Sequence, residues 1–348
     1  MMPILLPVNQ FDHFYKGGDR IGALRHGPGG PMRPEEWIGS TTARFGQAPQ
    51  GFSVLPDGRL LLEAIESDPA AWLGPDHVAR FGTSTEVLIK LLDLDQRLPV
   101  HLHPNRAFSR THLGLAHGKT EAWYVLDAPE GAEVGVGFKD AMTLDQVSVW
   151  VADRDSDALL GALRTRVVRP GDAMLVPAGL PHTVQAGVFV LELQEPTDLS
   201  ILLEWQGFAV DGVRDGHLDL GFDTALQAVD LAAVSDSDLD RLVVPRESIE
   251  AAGLVSAMPR QADAYFRAHR FDSSAGPVSV DAGFAIVLVL GGRGVLASPG
   301  GSLEVSRGDV VLVPHAAGEY TLHSDGHDAP LVGVVCRPPA PDAPTDAR

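Results

Sequence analysis

The chain has 348 residues, 45% hydrophobic and 21% charged, with a formal net charge of −19. That describes a globular chain with room for more than one core. The acidic surplus, with Lys and Arg scattered along the chain, excludes a nucleic-acid partner. A single cysteine, Cys336, leaves no intrachain disulfide and no Cys-based zinc site, and fits a cytoplasmic compartment. The apolar opening MPILLPV is short, broken by proline and without a basic leader, so neither a signal peptide nor a membrane span is expected.

In chain order, residues 1–85 mix loops with helical signals. In PDGRLLLEAIESDPAAWLG the apolar residues recur at helical spacing, and SDP ends one helix and opens another. This segment is expected to pack on a first β domain at 86–210. There EVLIKLLDL, VHLHP, EAWYVL, AEVGVGF, DAMLVPAG and GVFVLELQ read as strands bounded by turns. A helical insert at about 141–165 interrupts them, with Leu159, Leu160 and Leu163 on one face. A helical linker at 211–262, including DTALQAVDLAAVSDSDLDRL, leads to a second β domain at 263–338. The Pro- and Asp-rich end, 339–348, is expected to be disordered.

Two passages echo each other. RPGDAMLVPAGLPHTV at 169–184 and SRGDVVLVPHAAGEYTL at 306–322 both read turn, strand, proline-marked turn, strand. Two copies of one module predict a mainly β fold of two jelly-roll β-barrels with helical insertions. The second copy carries Glu319 or Tyr320 where the first has His182, and it contains no His-x-His. Metal chemistry is therefore expected in the first barrel alone.

In VHLHP, Val100 to Pro104, strand alternation puts His101 and His103 on one face, about 7 Å apart along the chain. An isolated pair of this kind is usually two satisfied polar positions. Here Glu121 opens a nearby apolar strand and His182 follows a Pro-Gly turn. Three imidazoles and a carboxylate suit one divalent ion, zinc first, with Mn, Co or Fe as alternatives, and leave positions open for solvent or substrate.

GDAMLVPAGLPH at 171–182 resembles the second motif of the cupin superfamily, Gly-x5-Pro-x-Gly-x2-His, at every defined position. The first cupin motif is met in part, because the glutamate lies 18 residues beyond His103. That interval resembles the type I mannose-6-phosphate isomerases. So do the blocks LIKLLDL (88–94), HLHP (101–104), GKTEAWYV (118–125), PAGLPH (177–182) and LELQEPTD (191–198), in that order; EEWIGS at 35–40 is similar to a further block. The resemblance covers residues 15–210 by sequence and 265–335 by pattern. It implies two cupin domains and a metal-dependent aldose–ketose isomerase of a sugar or sugar phosphate, working as a monomer or homodimer. The simplest such reaction takes mannose-6-phosphate to fructose-6-phosphate through a cis-enediol. The family's ligand positions fall on His101, where Gln is usual, His103, Glu121 and His182, and its catalytic positions on Lys119 and Glu192.

One departure stands out: where the family carries an arginine after Leu-Glu-x-Gln, QEPTDLSILLEW has Ile201 or Leu202. An aliphatic side chain cannot replace a guanidinium. Lys16, Arg44 and Arg106 are candidates to bind substrate in its stead, with Arg20 and Arg110 as further possibilities. Trp123 and Tyr124 alternate, so one faces the pocket and the other the core; Tyr124 is a candidate to stack on a sugar. Lys119 could equally be solvated in its turn, and Glu192 could face water. His112 and His117 are expected at the surface, and His315 in a structural role. Two other functions fit the same ligand set: a dioxygenase-like cupin, and a carbohydrate-binding or regulatory cupin without turnover.

Overall fold

The computed structural model of the chain describes residues 1–326 and 329–343. Its strands form two sandwiches. In the first, a seven-stranded antiparallel sheet runs in the order Val243–Val244, Ala173–Val176, Glu121–Asp127, Phe189–Gln194, Leu88–Asp93, Glu35–Ile38, Gln10–Phe11. It faces a five-stranded sheet in the order Ile201–Leu202, His101–Leu102, His182–Val184, Glu133–Phe138, Leu163–Val167. The second sandwich pairs a six-stranded with a four-stranded sheet.

Every residue of Leu88–Asp93 and of Phe189–Gln194 is buried, although strand alternation sends them to opposite faces. Both faces are covered. Leu92 and Val190 point into the first sandwich with Trp123 and Met174, while Leu91 and Leu191 point out and meet Ile286, Leu288, Leu312 and Val334 of the second. A strand covered on both sides reads as a continuous apolar run, which is why LIKLLD shows no polar alternation. Lys90 and the terminal Asp93 are the exceptions in it.

The helical signals before residue 85 become Leu61–Ser67, Pro69–Leu73 and Pro75–Phe81. Asp68 accepts the Ala71 amide at 3.2 Å and Pro69 takes the first helical position, so SDP does end one helix and start the next. The N-terminal segment does not pack on the first sandwich alone. Gln10–Phe11 and Glu35–Ile38 extend its seven-stranded sheet, but Ile4 and Leu5 pair with Leu312 and Val311 of the second. The segment 211–262 is likewise more than a helical linker, since Val243–Val244 joins the first sandwich and Gly253–Ser256 the second. Within it the helical reading of 223–242 splits, because Ser235 and Asp238 form a capping box that starts a separate helix, Asp236–Leu242.

The insert at 141–165 folds as Leu144–Asp153 and Ser156–Ala162, whose Leu159 packs with Leu102 and Ile201 beneath the five-stranded sheet. The second sandwich is filled by aliphatic side chains such as Val287, Leu296, Val311 and Val335. Tyr320 opens its strand there as His182 opens the corresponding one. Of the expected tail, Arg80 donates to the carbonyls of Ala340, Pro341 and Ala343, and residues 344–348 lie outside the described residues. Among the described residues no helix is long and apolar enough to cross a membrane.

Candidate active site

His101 and His182 sit directly opposite each other on neighbouring strands, and His103 follows on the same face as His101. Their rings lie 4.1 to 4.9 Å apart, and one nitrogen from each falls within 4.8 Å of the others. Each Nδ1 is 2.7 to 2.8 Å from a backbone carbonyl: Pro99 for His101, Leu199 for His103, Leu180 for His182. A carbonyl only accepts, so each Nδ1 carries the proton and each Nε2 presents its lone pair to the shared space. Burial and neighbouring positive charge push the His101 and His103 imidazoles down, His103 to about 3, which keeps those lone pairs free. The PAG turn makes this possible, because Gly179, at φ +95°, donates its amide to the His103 carbonyl at 2.8 Å.

Glu121 arrives from the facing sheet. Its Oε2 lies 2.9 Å from His103 Nε2 and 3.2 Å from Lys119 Nζ, and its Oε1 lies 3.3 Å from His182 Nε2. Even so, buried Glu121 Oε2 and His182 Nε2 have no hydrogen-bond partner. Lone pairs that converge without bonding each other leave a position for a cation. The donor set, three imidazoles and a carboxylate, fits a divalent transition metal. Burial alone would raise the Glu121 carboxyl, but Lys119 and His103 outweigh it and hold it well below the usual range, so it is ionised.

Lys119 owes its place to Gly118. The Lys119 amide donates to the Pro104 carbonyl at 3.0 Å, and a Cβ on Gly118 would lie 2.6 Å from that carbonyl oxygen. Gly118→Ala is therefore expected to cost about 1–3 kcal/mol and to lower kcat more than it raises KM, because it moves Lys119 and Glu121 together. Denaturant unfolding and steady-state kinetics would check both.

No family model matches the chain. A mannose-6-phosphate isomerase of Bacillus subtilis is 28% identical over 244 residues, 69% of this chain and 73% of its own. One of Streptococcus mutans is 28% identical over 284 residues, 80% and 83% of the two chains. The crystal structure of a Bacillus subtilis mannose 6-phosphate isomerase superposes with a TM-score of 0.72 at 21% identity, over 97% of this chain and 100% of that one. A phosphomannose isomerase mutant of Salmonella typhimurium gives 0.73 at 14%, over 98% and 100%. The chain is a divergent relative of the type I mannose-6-phosphate isomerases. The two-sandwich cupin fold is theirs.

Against that isomerase pattern, a cavity of about 520 Å³ opens beside the histidines and is lined by His101, Lys119, Glu192 and Arg44, among others. Leu202 lines it too, beside Asp198 and Ser200, so after Leu-Glu-x-Gln the cavity meets an aliphatic side chain and no arginine from that segment, as the sequence implied. Three other candidates lie elsewhere. Lys16 is exposed and contributes a backbone carbonyl to the Asp95 and Gln96 amides. Arg106 binds Glu195 at 2.5 Å and sits over the Tyr265 ring at 4.8 Å. Tyr124 packs between the sandwiches, because Glu121 and Trp123 take the inward positions of their strand. Arg20 is tied to Asp93 at 2.5 Å, and Arg110 is exposed.

The cavity also holds residues that the sequence reading passed over. Registers across the sheet align Trp37, Lys90, Glu192 and Trp123 in one row. Lys90 lies 3.4 Å from Glu35 and 3.8 Å from both Glu192 and Asp198, with its Nζ 4.6 Å from the Trp37 ring centre. Burial would lower the Lys90 ammonium, but those carboxylates outweigh it and raise it above its ordinary value. Glu35 is the hub, accepting from the Trp37 indole at 2.7 Å and from the Tyr15 hydroxyl. Burial opposes its ionisation, yet Lys90 and His13 outweigh that and keep it well below the carboxylate range. A lysine in the middle of the mostly apolar strand LIKLLD was the available signal for this network.

Proposed function

We infer that the chain is a metal-dependent aldose–ketose isomerase acting on a sugar or sugar phosphate, most simply converting mannose-6-phosphate to fructose-6-phosphate through a cis-enediol. The observation that carries this reading is Glu192. It is fully buried beside the histidine cluster, and burial, reinforced by the Glu121 charge against Lys119 and Lys90, pushes its carboxyl up to about 8. Moving a proton between adjacent carbons needs a group that both gives and takes one near neutral pH. A carboxyl titrating there does so.

His101, His103, Glu121 and His182 would hold the ion, which when bound supplies a Lewis acid and a template for two adjacent sugar oxygens. Trp123 donates to Glu192 at 3.2 Å and keeps that carboxyl facing the cavity. Lys119 and Lys90 place positive charge beside the carbons that change, where negative charge grows in the transition state. Tyr15 and Phe14 add aromatic surface to the cavity lining. A cytoplasmic location, zinc as the ion, and a monomer or homodimer belong to the same proposal.

The test is a coupled assay on free and phosphorylated hexoses with Zn, Mn, Co or Fe added. Interconversion of an aldose and its ketose with at least one metal is expected. Oxygen uptake with iron and no ketose formed would overturn the reading.

A further inference from the structure

Four cationic side chains, Arg44, Lys90, Lys119 and Arg214, line the cavity beside the histidines. Three are held by carboxylates: Lys119 Nζ lies 3.2 Å from Glu121, Lys90 Nζ 3.4 Å from Glu35, and Arg214 Nε 2.7 Å from Asp215. Arg44 is different. Its Nη1 donates to two uncharged acceptors, the Asp12 carbonyl and Gln50 Oε1, both at 3.2 Å. Among the described residues its Nε and Nη2 make no hydrogen bond, and no carboxylate pairs with it. That edge of a guanidinium, two parallel N–H groups, is the one that grips two oxygens of an oxyanion at once.

The loop around Arg44 fixes where this edge sits. The Gln47 amide donates to the Arg44 carbonyl at 2.9 Å, the Arg44 amide donates to the Gln50 carbonyl at 2.8 Å, and the Gln50 side chain holds Nη1. In the turn at 44–47 Gly46 takes φ +67°, and a turn of this kind bonds only its first carbonyl and last amide. The Gly46 amide is therefore left over among the described residues, and Gly46 lines the cavity with Arg44. The Phe45 amide donates to Asp198 Oδ2 at 3.1 Å, Asp198 lies 3.8 Å from Lys90, and Lys90 lies 3.8 Å from Glu192. These contacts order the cavity: the histidine cluster first, then Glu192 and Lys90, then Asp198 and the Arg44 turn.

Isomerisation needs C1 and C2 of the sugar at the ion and at Glu192, so the rest of the sugar runs along Lys90 toward Arg44. A phosphate on the last carbon is a dianion whose ester oxygens accept hydrogen bonds. The ion would attract it too, but the positions open there are those that the C1 and C2 oxygens must fill. Asp211 and Asp219 also line the cavity and disfavour a dianion beside them, which leaves the Arg44 turn as its place. We propose that Arg44 is the phosphate anchor of this site: its Nε and Nη2, with the Gly46 amide, bind the terminal phosphate of a sugar phosphate while C1 and C2 lie at the histidine cluster. The inference rests on the isomerase reading and assigns the far end of its substrate.

The test measures steady-state kinetics of the metal-loaded full chain with mannose 6-phosphate, and inhibition by inorganic phosphate, for the parent and three variants. Arg44→Ala is expected to raise KM about 10²-fold with a much smaller change in kcat, and to weaken inhibition by inorganic phosphate in parallel, as the loss of two charge-assisted hydrogen bonds implies. Arg44→Lys keeps the charge without the fork and should raise KM about tenfold. Arg214→Gln removes an arginine already paired with Asp215 and should change KM by about twofold at most. An unchanged KM in Arg44→Ala, or an equal effect of Arg214→Gln, would mean no anchor at Arg44; either overturns the inference and leaves the isomerase reading standing. A parent chain that converts no sugar or sugar phosphate overturns that reading, and calorimetry with inorganic phosphate then decides the anchor. Binding to the parent but not to Arg44→Ala supports it, and equal binding or none overturns it.

Discussion

His103→Ala is expected to remove the bound metal and to lower kcat/KM by on the order of 10³-fold or more, the several kcal/mol that a Lewis acid contributes to such a reaction. His103 is the link between the two halves of the cluster. Its Nε2 meets both Glu121 and Lys119, and its backbone carbonyl anchors Gly179 in the turn before His182. Removing the imidazole leaves that backbone bond in place, so the fold should survive. Two measurements separate loss of metal from loss of structure. Metal content after dialysis should fall to near zero, and added zinc should raise the melting temperature of the parent chain but not of the variant, by linkage of binding to stability. A variant that retains both metal and activity would remove His103 from the site.

Glu192→Gln should lower kcat by about 10²–10⁴-fold, the usual contribution of a positioned acid–base group, with a smaller effect on KM. It should also abolish the limb of the kcat profile that this carboxyl contributes. The same shift predicts a stability effect with a definite sign. A carboxyl whose folded value is raised contributes stability that is complete below the unfolded value, about 4.3, and is lost as pH rises through the folded one. In the metal-free protein the parent chain should therefore lose ground to Glu192→Gln between about pH 4.5 and about 8. Thermal melts of the two chains across that window, with chelator present, would show it. A constant difference in melting temperature would mean that Glu192 is ionised in the fold throughout.

These expectations join residues that are far apart in the chain, and the difference between what was and was not readable follows from that. His101 and His103 share a face through strand alternation, and Gly179 and His182 belong to one turn, so short-range geometry marks them. Lys90, Glu35 and His13 come together only through the register of three strands, which no local pattern specifies. Tyr124 illustrates the same limit. Alternation separates it from Trp123, but which of the two faces the cavity depends on which side of the sheet the five-stranded partner covers.

What the sequence by itself determined is the strand content of 86–205, the repeat that announces two sandwiches, the helix break at SDP, and the motif blocks whose order marks the family. These are local or near-local signals, set by the two-residue period of strands, by capping and by turn chemistry. The tertiary structure alone decided the rest. The two-residue strands Ile4–Leu5, Gln10–Phe11 and Val243–Val244 have too few residues to show a period and exist because a sheet edge accepts them. The charge balance of the cavity is likewise tertiary: of the arginines the sequence offered, Arg44 reaches the cavity, Arg20 and Arg106 are spent on buried carboxylates, and the aspartates of 211–219 stand at the opening. Long side chains go where partners at other positions in the chain neutralise them, and those partners are set by packing of the sheets rather than by spacing along the chain.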